Sequence, residues 1–241
     1  MKDIPHLEVC FTPATFDSFG KPGAVVAVID VLRASSAICA AFMNGAKELI
    51  PVGEIEEARE YKKQGYLVAA ERDGFVLDFA DFGNSPFNFT PERVKGKTIV
   101  YSTTNGTQAI RMAGKCHAVT VAAYINLSAV CEYLVSFNRD IILFCAGWKN
   151  RFSLEDTLLA GAMAEKILEN PGFVTNCDST MASLDLWSLA KPNLMGYIQK
   201  TAQKSRLQKN GLDDCIEYCH TIDITTIVPV LSDGKLIGKI K

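Results

Sequence analysis

Several absences narrow the chemistry of this chain before any motif is considered. Its eight cysteines, at positions 10, 39, 116, 131, 145, 177, 215 and 219, include no C-x-x-C pair, and several lie inside apolar runs. That spacing argues against a zinc site and against a disulfide framework, so a reducing, cytoplasmic compartment is expected. Basic charge is not in excess: 25 Lys and Arg stand against 27 Asp and Glu. With no segment that collects Lys or Arg, a nucleic-acid partner is not expected. The first residues, MKDIPHLEV, show no secretory leader, and no uncharged stretch approaches the ~18 apolar residues of a membrane span. Neither G-x-x-x-x-G-K-[ST] nor G-x-G-x-x-G occurs, which removes two common phosphate-binding signatures. The histidines, His6, His117 and His220, share no motif, and each reads as structural or exposed.

What remains is a chain of alternating apolar runs and helical segments. Ala24 to Ile29 carries no polar side-chain atom, which suits a central parallel strand covered on both faces. Further strands are expected at Leu7 to Phe11 as a short edge, Lys47 to Val52, Tyr66 to Ala70, Lys97 to Tyr101, Ala118 to Ala123 and Asp140 to Phe144. Helices are expected from Ser35 or Ser36, as caps, to Asn44, over Glu54 to Gln64, Gln108 to Ala113, Leu127 to Phe137 and Leu154 to Glu169, with helical segments between Asp178 and Cys219. Thr225 to Leu231 and Lys235 to Ile240 flank Ser232-Asp233-Gly234, a hairpin signal. The pattern implies a three-layer α/β/α fold with a mostly parallel sheet and Rossmann-like topology, and leaves room for an antiparallel edge at the C-terminus. No repeat or linker divides the sequence, so one domain over 1–241 is expected; a homo-oligomer is compatible with it.

Polar groups cluster where these strands end, which in open α/β sheets is the ligand-binding edge. Asp30 closes the central run and is followed by Arg33, Ser35 and Ser36, while Glu71 closes another run. For Asp30 alone, a helix cap or an ion pair with Arg33 is an equal reading. Two acids at neighbouring strand ends supply hard oxygen ligands for Mg²⁺, which takes one or two carboxylates and leaves its other positions to water and phosphate. Ser102-Thr103-Thr104-Asn105-Gly106-Thr107 is a strand-to-helix turn whose hydroxyls and backbone N–H groups suit an anion. Gly74 to Pro91, with FGNSP at 82–86, is long and irregular, and is expected to line or cover the site. Cys145 to Arg151 has the C-x5-R spacing of cysteine phosphatases, although Phe144 stands where a His usually precedes the thiol. Ser153 and Asp156 form a variant capping box before the long helix.

VIDVLRASS at 28–36, GNSP at 83–86, STTNGT at 102–107 and CAGWKNRFSLEDTLLAGA at 145–162 together resemble the 2-phosphosulfolactate phosphatase family. The resemblance runs over nearly the whole chain. It implies an α/β/α fold, a bound Mg²⁺ and a small phosphorylated hydroxy acid as partner: hydrolysis of phosphate esters of 2-hydroxycarboxylic acids, within coenzyme M biosynthesis. On the combined reading Asp30 and Glu71 hold the metal, and Asp30, Arg33 and Asp156 form the catalytic set. The substrate-binding set is Ser35, Ser36, Asn84, Ser85, Ser102 to Thr107, and Lys149 or Arg151 for the substrate's carboxylate or sulfonate. Asp30 as a nucleophile forming an aspartyl phosphate is the alternative, but the familiar D-x-D pattern is absent because position 32 is Leu, so metal-activated water is preferred. The remaining rivals are the thiol phosphatase and a non-catalytic binder of small phosphorylated or sulfonated acids.

Overall fold

The computed structural model describes residues 4–240. Strand β1 (Leu7–Cys10) and strand β2 (Val25–Ile29) are followed by helix α1 (Ala34–Met43), β3 (Glu48–Pro51), α2 (Ile55–Lys63), β4 (Leu67–Arg72) and β5 (Phe75–Val76). Next, β6 (Thr98–Ser102) leads into α3 (Gly106–Ala113), β7 (Ala118–Ala122) into α4 (Leu127–Val135), and β8 (Ile141–Cys145) into α5 (Leu154–Leu168). Helices α6 (Asp178–Ala190) and α7 (Ala202–Lys209) precede the hairpin of β9 (Ile227–Ser232) and β10 (Lys235–Ile240). No described helix is long and apolar enough to cross a membrane.

The strands form a mostly parallel sheet flanked by helices, in the order β1-β8-β2-β7-β9-β10-β3-β6-β4-β5. β2 is central to one parallel block, pairing with β8 and β7, and all five of its residues are buried. Its side chains alternate between two cores. Val25, Ala27 and Ile29 pack with residues of α4 and α5 on one face, and Val26 and Val28 pack with residues of α1, α3 and β6 on the other. Burial of each large aliphatic side chain in such a strand contributes about 2 kcal/mol. Continuous apolar character in the sequence therefore corresponds to a strand covered on both sides.

A second parallel block, β3-β6-β4, carries β5 as an antiparallel edge. The C-terminal hairpin is antiparallel, as its Asp233-Gly234 turn demands with both residues at positive φ, but it lies inside the sheet between the two blocks. A proline at 229 would ordinarily mark an outer strand, because it cannot donate to a ladder. Here β9 meets β7 through the pair Thr120 and Val230 alone, and the Thr120 hydroxyl donates to the Pro229 carbonyl at 2.7 Å. From β7 to β3 the chain direction reverses three times, so the second block runs opposite to the first. The blocks face each other across α1, which is buried from Ala34 to Phe42 and rich in alanine, so both can approach its backbone closely.

Candidate active site

Asp30 sits where the two blocks meet. Its peptide N–H donates to Ser35 Oγ at 2.9 Å, and its side chain accepts from the N–H of Ala34, at the start of α1, at 3.3 Å. The N–H of Gly106, at the start of α3, donates to the same carboxylate. Two helix N-termini, one from each block, thus converge on a single acid, where their dipoles favour negative charge. Gly106 is required for this approach, since a Cβ there would lie 2.8 Å from Asp30 Oδ2 and 2.9 Å from Ala34 Cβ. The carboxylate is nevertheless pushed up to about 7, chiefly by burial and then by the nearby carboxylates of Glu71 and Glu155.

Glu71 reaches the site from β4. The Asp73-Gly74 turn, with both residues at positive φ, reverses the chain into β5, and the Gly74 N–H donates to Glu71 Oε2 at 2.6 Å. Glu71 Oε1 accepts from the Thr104 N–H at 2.9 Å and its hydroxyl at 3.1 Å. Asp30, Glu71 and Arg33 are only 8, 4 and 4% exposed, and all three line one cavity. Among the described residues no Lys or Arg forms an ion pair within 4 Å of Asp30, Glu71, Glu155 or Asp156; Glu155 feels the Arg206 guanidinium from farther off, and Asp30 and Glu71 are left without a cationic partner in contact. Arg33 has no acid partner either; its Nη1 donates to the Leu212 carbonyl at 3.4 Å and its Nη2 to the Gly74 carbonyl at 3.3 Å.

Asn84 and Asn105 add two amides to the polar lining. Asn84 Oδ1 accepts from the Tyr101 hydroxyl and Asn105 Oδ1 accepts from the Lys149 N–H at 2.9 Å. With both carbonyl ends tied back, the groups that Asn84 and Asn105 offer the cavity are their amide N–H₂ donors. A guanidinium and two amide donors beside two acids can hold an anion and a cation side by side.

Other residues expected in the site serve its frame. Ser35 and Ser36 lie inside α1 and cap nothing: Ser35 Oγ accepts from Asp30, and Ser36 Oγ donates to the Val31 carbonyl at 3.3 Å. Ser102 Oγ accepts from Arg72, and Thr103 and Thr107 close the turn by accepting each other's peptide N–H at 3.3 and 3.2 Å. Ser85 is buried, and its hydroxyl faces the Cys215 thiol. Asp156 does not line the cavity. It accepts from the N–H of Val31 at 2.9 Å and of Gly147 at 3.1 Å, bracing the loops after β2 and β8, and is held far above the usual carboxylate range by burial and by Glu155. Lys149 is exposed and paired with Asp73 at 2.7 Å, and Arg151 is exposed outside the lining that contains Asp30.

A family model described as 2-phosphosulpholactate phosphatase matches residues 10–234. The chain belongs to the 2-phosphosulpholactate phosphatase family. Three relatives named "Probable 2-phosphosulfolactate phosphatase" illustrate the likeness. That of Thermotoga maritima is 42% identical over 213 residues, covering 88% of this chain and 91% of its own. That of Caldanaerobacter subterraneus subsp. tengcongensis is 40% identical over 213 residues, covering 87 and 88%. That of Clostridium acetobutylicum is 32% identical over 214 residues, covering 87 and 90%. Members of this family are phosphoric monoester hydrolases by name.

Family membership does not favour the C-x5-R thiol mechanism, and neither does the geometry. Cys145 is fully buried in β8, and burial, with the Asp156 carboxylate second, holds its thiol well above the ordinary range, so no thiolate is available near neutral pH. Cys145→Ser is expected to keep turnover within about tenfold, roughly 1.4 kcal/mol at the barrier, because the Thr157 hydroxyl is there to bond the new one. Steady-state assay of the variant checks this, and a loss of several orders of magnitude would restore the thiol mechanism.

Five further lining residues went unforeseen: Trp148, Gln203, Arg206, Leu207 and Asn210. All but Trp148 come from α7 and the residue after it. Trp148 lay inside a motif but was not singled out. It sits in a tight turn: Trp148 and Arg151 exchange N–H to carbonyl bonds at 3.0 Å around Lys149 and Asn150, both at positive φ. This tight turn displays the indole towards the cavity.

Proposed function

We propose that the protein hydrolyses phosphate esters of 2-hydroxycarboxylic acids, with 2-phosphosulfolactate as substrate, sulfolactate and phosphate as products, and Mg²⁺ as its metal. The observation that carries this reading is the buried Arg33 guanidinium, without an acid partner, in one cavity with the uncompensated Asp30 and Glu71. The donor set fits the ion: two buried carboxylates from different strand ends, each fixed by peptide N–H groups, with room left for water and phosphate oxygens. Asp30 and Glu71 would hold Mg²⁺, which would neutralise charge on the phosphoryl oxygens. Arg33 does the same from the protein side, and the Asn84 and Asn105 amides orient the phosphoryl group. Water attacks phosphorus, the bond from phosphorus to the ester oxygen breaks, and that oxygen becomes the product hydroxyl by taking, in net, one proton of the attacking water, the other staying on the phosphate. Asp30, clamped by N–H donors from two helices, suits the role of a fixed ligand better than that of a nucleophile. On this reading the reaction would serve coenzyme M biosynthesis, as the family resemblance implies, and the eight free thiols fit a reducing cytoplasm.

Phosphate release from 2-phosphosulfolactate tests this with and without chelator. Activity is expected with Mg²⁺, to vanish in excess EDTA, and to return on adding metal. Undiminished activity in EDTA would remove the metal, and no release under any condition would leave only a binder.

A further inference from the structure

Arg206 is built into the cavity in a way that Arg33 is not. Its Nε donates to Gln203 Oε1 at 2.8 Å, and its guanidinium carbon lies 4.4 Å from the centre of the Trp148 ring. One edge and one face of the planar group are therefore fixed. The two terminal amino groups carry no hydrogen bond, and no ion pair within 4 Å, among the described residues; the Glu155 carboxylate acts on this cation from farther off and leaves the fork open. Gln203 is itself buried and donates through Nε2 to the Leu32 carbonyl at 3.0 Å. The chain of contacts from Leu32 through Gln203 to Arg206 ties this open fork to the loop that carries Asp30 and Arg33.

A hydroxy acid phosphate brings a second anion into the cavity besides its phosphoryl group, and the cationic side chains lining that cavity are Arg33 and Arg206. Arg33, three residues after Asp30 and beside the acid pair, is committed to the phosphoryl end. A guanidinium held by its face and its Nε presents two parallel N–H donors, which match the paired oxygens of a carboxylate or sulfonate. We propose that Arg206, positioned by Trp148 and Gln203, is the specificity residue that grips the substrate's second anion. Arg151, the arginine expected from the sequence, lines only the neighbouring outer groove, which Arg206 and Trp148 separate from the cavity by lining both. This inference rests on the phosphatase reading given above and deepens it.

Three substrates separate the outcomes: 2-phosphosulfolactate, 2-phospholactate, which lacks the sulfonate, and isopropyl phosphate, which lacks both acids. Arg206→Gln is expected to raise KM roughly 100-fold for 2-phosphosulfolactate, leave kcat within about threefold, and change isopropyl phosphate hydrolysis little, as expected for loss of a charge-assisted fork. Arg206→Lys should retain part of the affinity, and Arg151→Lys should be near wild type. If 2-phospholactate suffers with 2-phosphosulfolactate, the gripped group is the carboxylate; if it is spared, the sulfonate. Equal losses on all three substrates, or none, overturn the assignment. Fluorescence supplies a readout without turnover, since sulfolactate should perturb Trp148 in the wild type and not in Arg206→Gln. Should no substrate be hydrolysed while that signal persists, the phosphatase reading falls and the anion subsite stands. Should turnover stand while Arg206→Gln binds sulfolactate as the wild type does, the subsite falls alone.

Discussion

Asp30→Asn is expected to leave at most about one-thousandth of wild-type turnover, a loss of about 4 kcal/mol at the barrier. The change is nearly isosteric, keeps the oxygen that accepts from Ala34 and removes the charge proposed to hold the metal. The same substitution should stabilise the chelated protein at neutral pH. The folded carboxyl is pushed up to about 7 from 3.8, so its contribution to stability is full below pH 3.8 and is lost as pH rises through 7. The gap in unfolding free energy between variant and wild type should therefore open with rising pH across that window, towards about 4 kcal/mol. His220 works in the opposite sense, because burial lowers it to about 4 and its stabilising share is lost as pH falls from 6.5. It is present in both proteins, so it cancels in the difference. Thermal unfolding in EDTA from pH 4 to 8 reads the gap. A gap that closes as pH rises would contradict the account of Asp30 as a destabilising buried charge, and a variant that keeps its turnover would contradict its proposed role as metal ligand.

Arg33→Lys is expected to lower kcat on the order of 10³-fold, the scale of an arginine that stabilises a transferring phosphoryl group. An ammonium retains the charge but loses the planar fork, and its shorter reach leaves the developing oxygen charges unmatched. KM should move less than kcat, because the charge that Arg33 answers grows towards the transition state. A scaffold role would behave differently. Arg33 makes two long carbonyl contacts and no ion pair, so Arg33→Met removes a buried charge with few bonds to lose. That variant should unfold no lower than the wild type in the absence of metal. Arg33→Met melting many degrees lower while Arg33→Lys retains kcat would assign this residue to structure.

The fold was largely legible because its strands declare themselves. Val25–Ile29 and Ile141–Cys145 are continuous apolar runs, and both are buried throughout. The hairpin was legible as a hairpin, but its interior place was not, since nothing local in Lys235–Ile240 says which strand it will meet. That Asp30, Arg33 and Glu71 would gather in one place could be read from the strand ends, and they line one cavity. Arg206 could not, because AQKSRLQK is a polar helix like any surface helix and reaches the cavity through tertiary packing alone. The hydroxyls misled for a physical reason: Ser35, Ser36, Thr103 and Thr107 are short enough to bond nearby backbone, and they do so. The Asp73-Gly74 turn carried a recognisable signal that an emphasis on the irregular stretch from Gly74 concealed.

The place of the hairpin has a bearing on how the molecule is made. Strands β7 and β3 are synthesised more than 100 residues before the segment that covers their inner edges, by the register of Thr120 with Val230 and of Leu49 with Leu236. Throughout that interval each block presents an unpaired row of peptide groups, the kind of surface that recruits strands from other chains. The long separation also makes this union a late and entropically costly closure in folding. Asp30 and Glu71, one from each block, thus wait for the last strands to lock their frame, and the nascent chain passes most of its synthesis with its most adhesive edges uncovered.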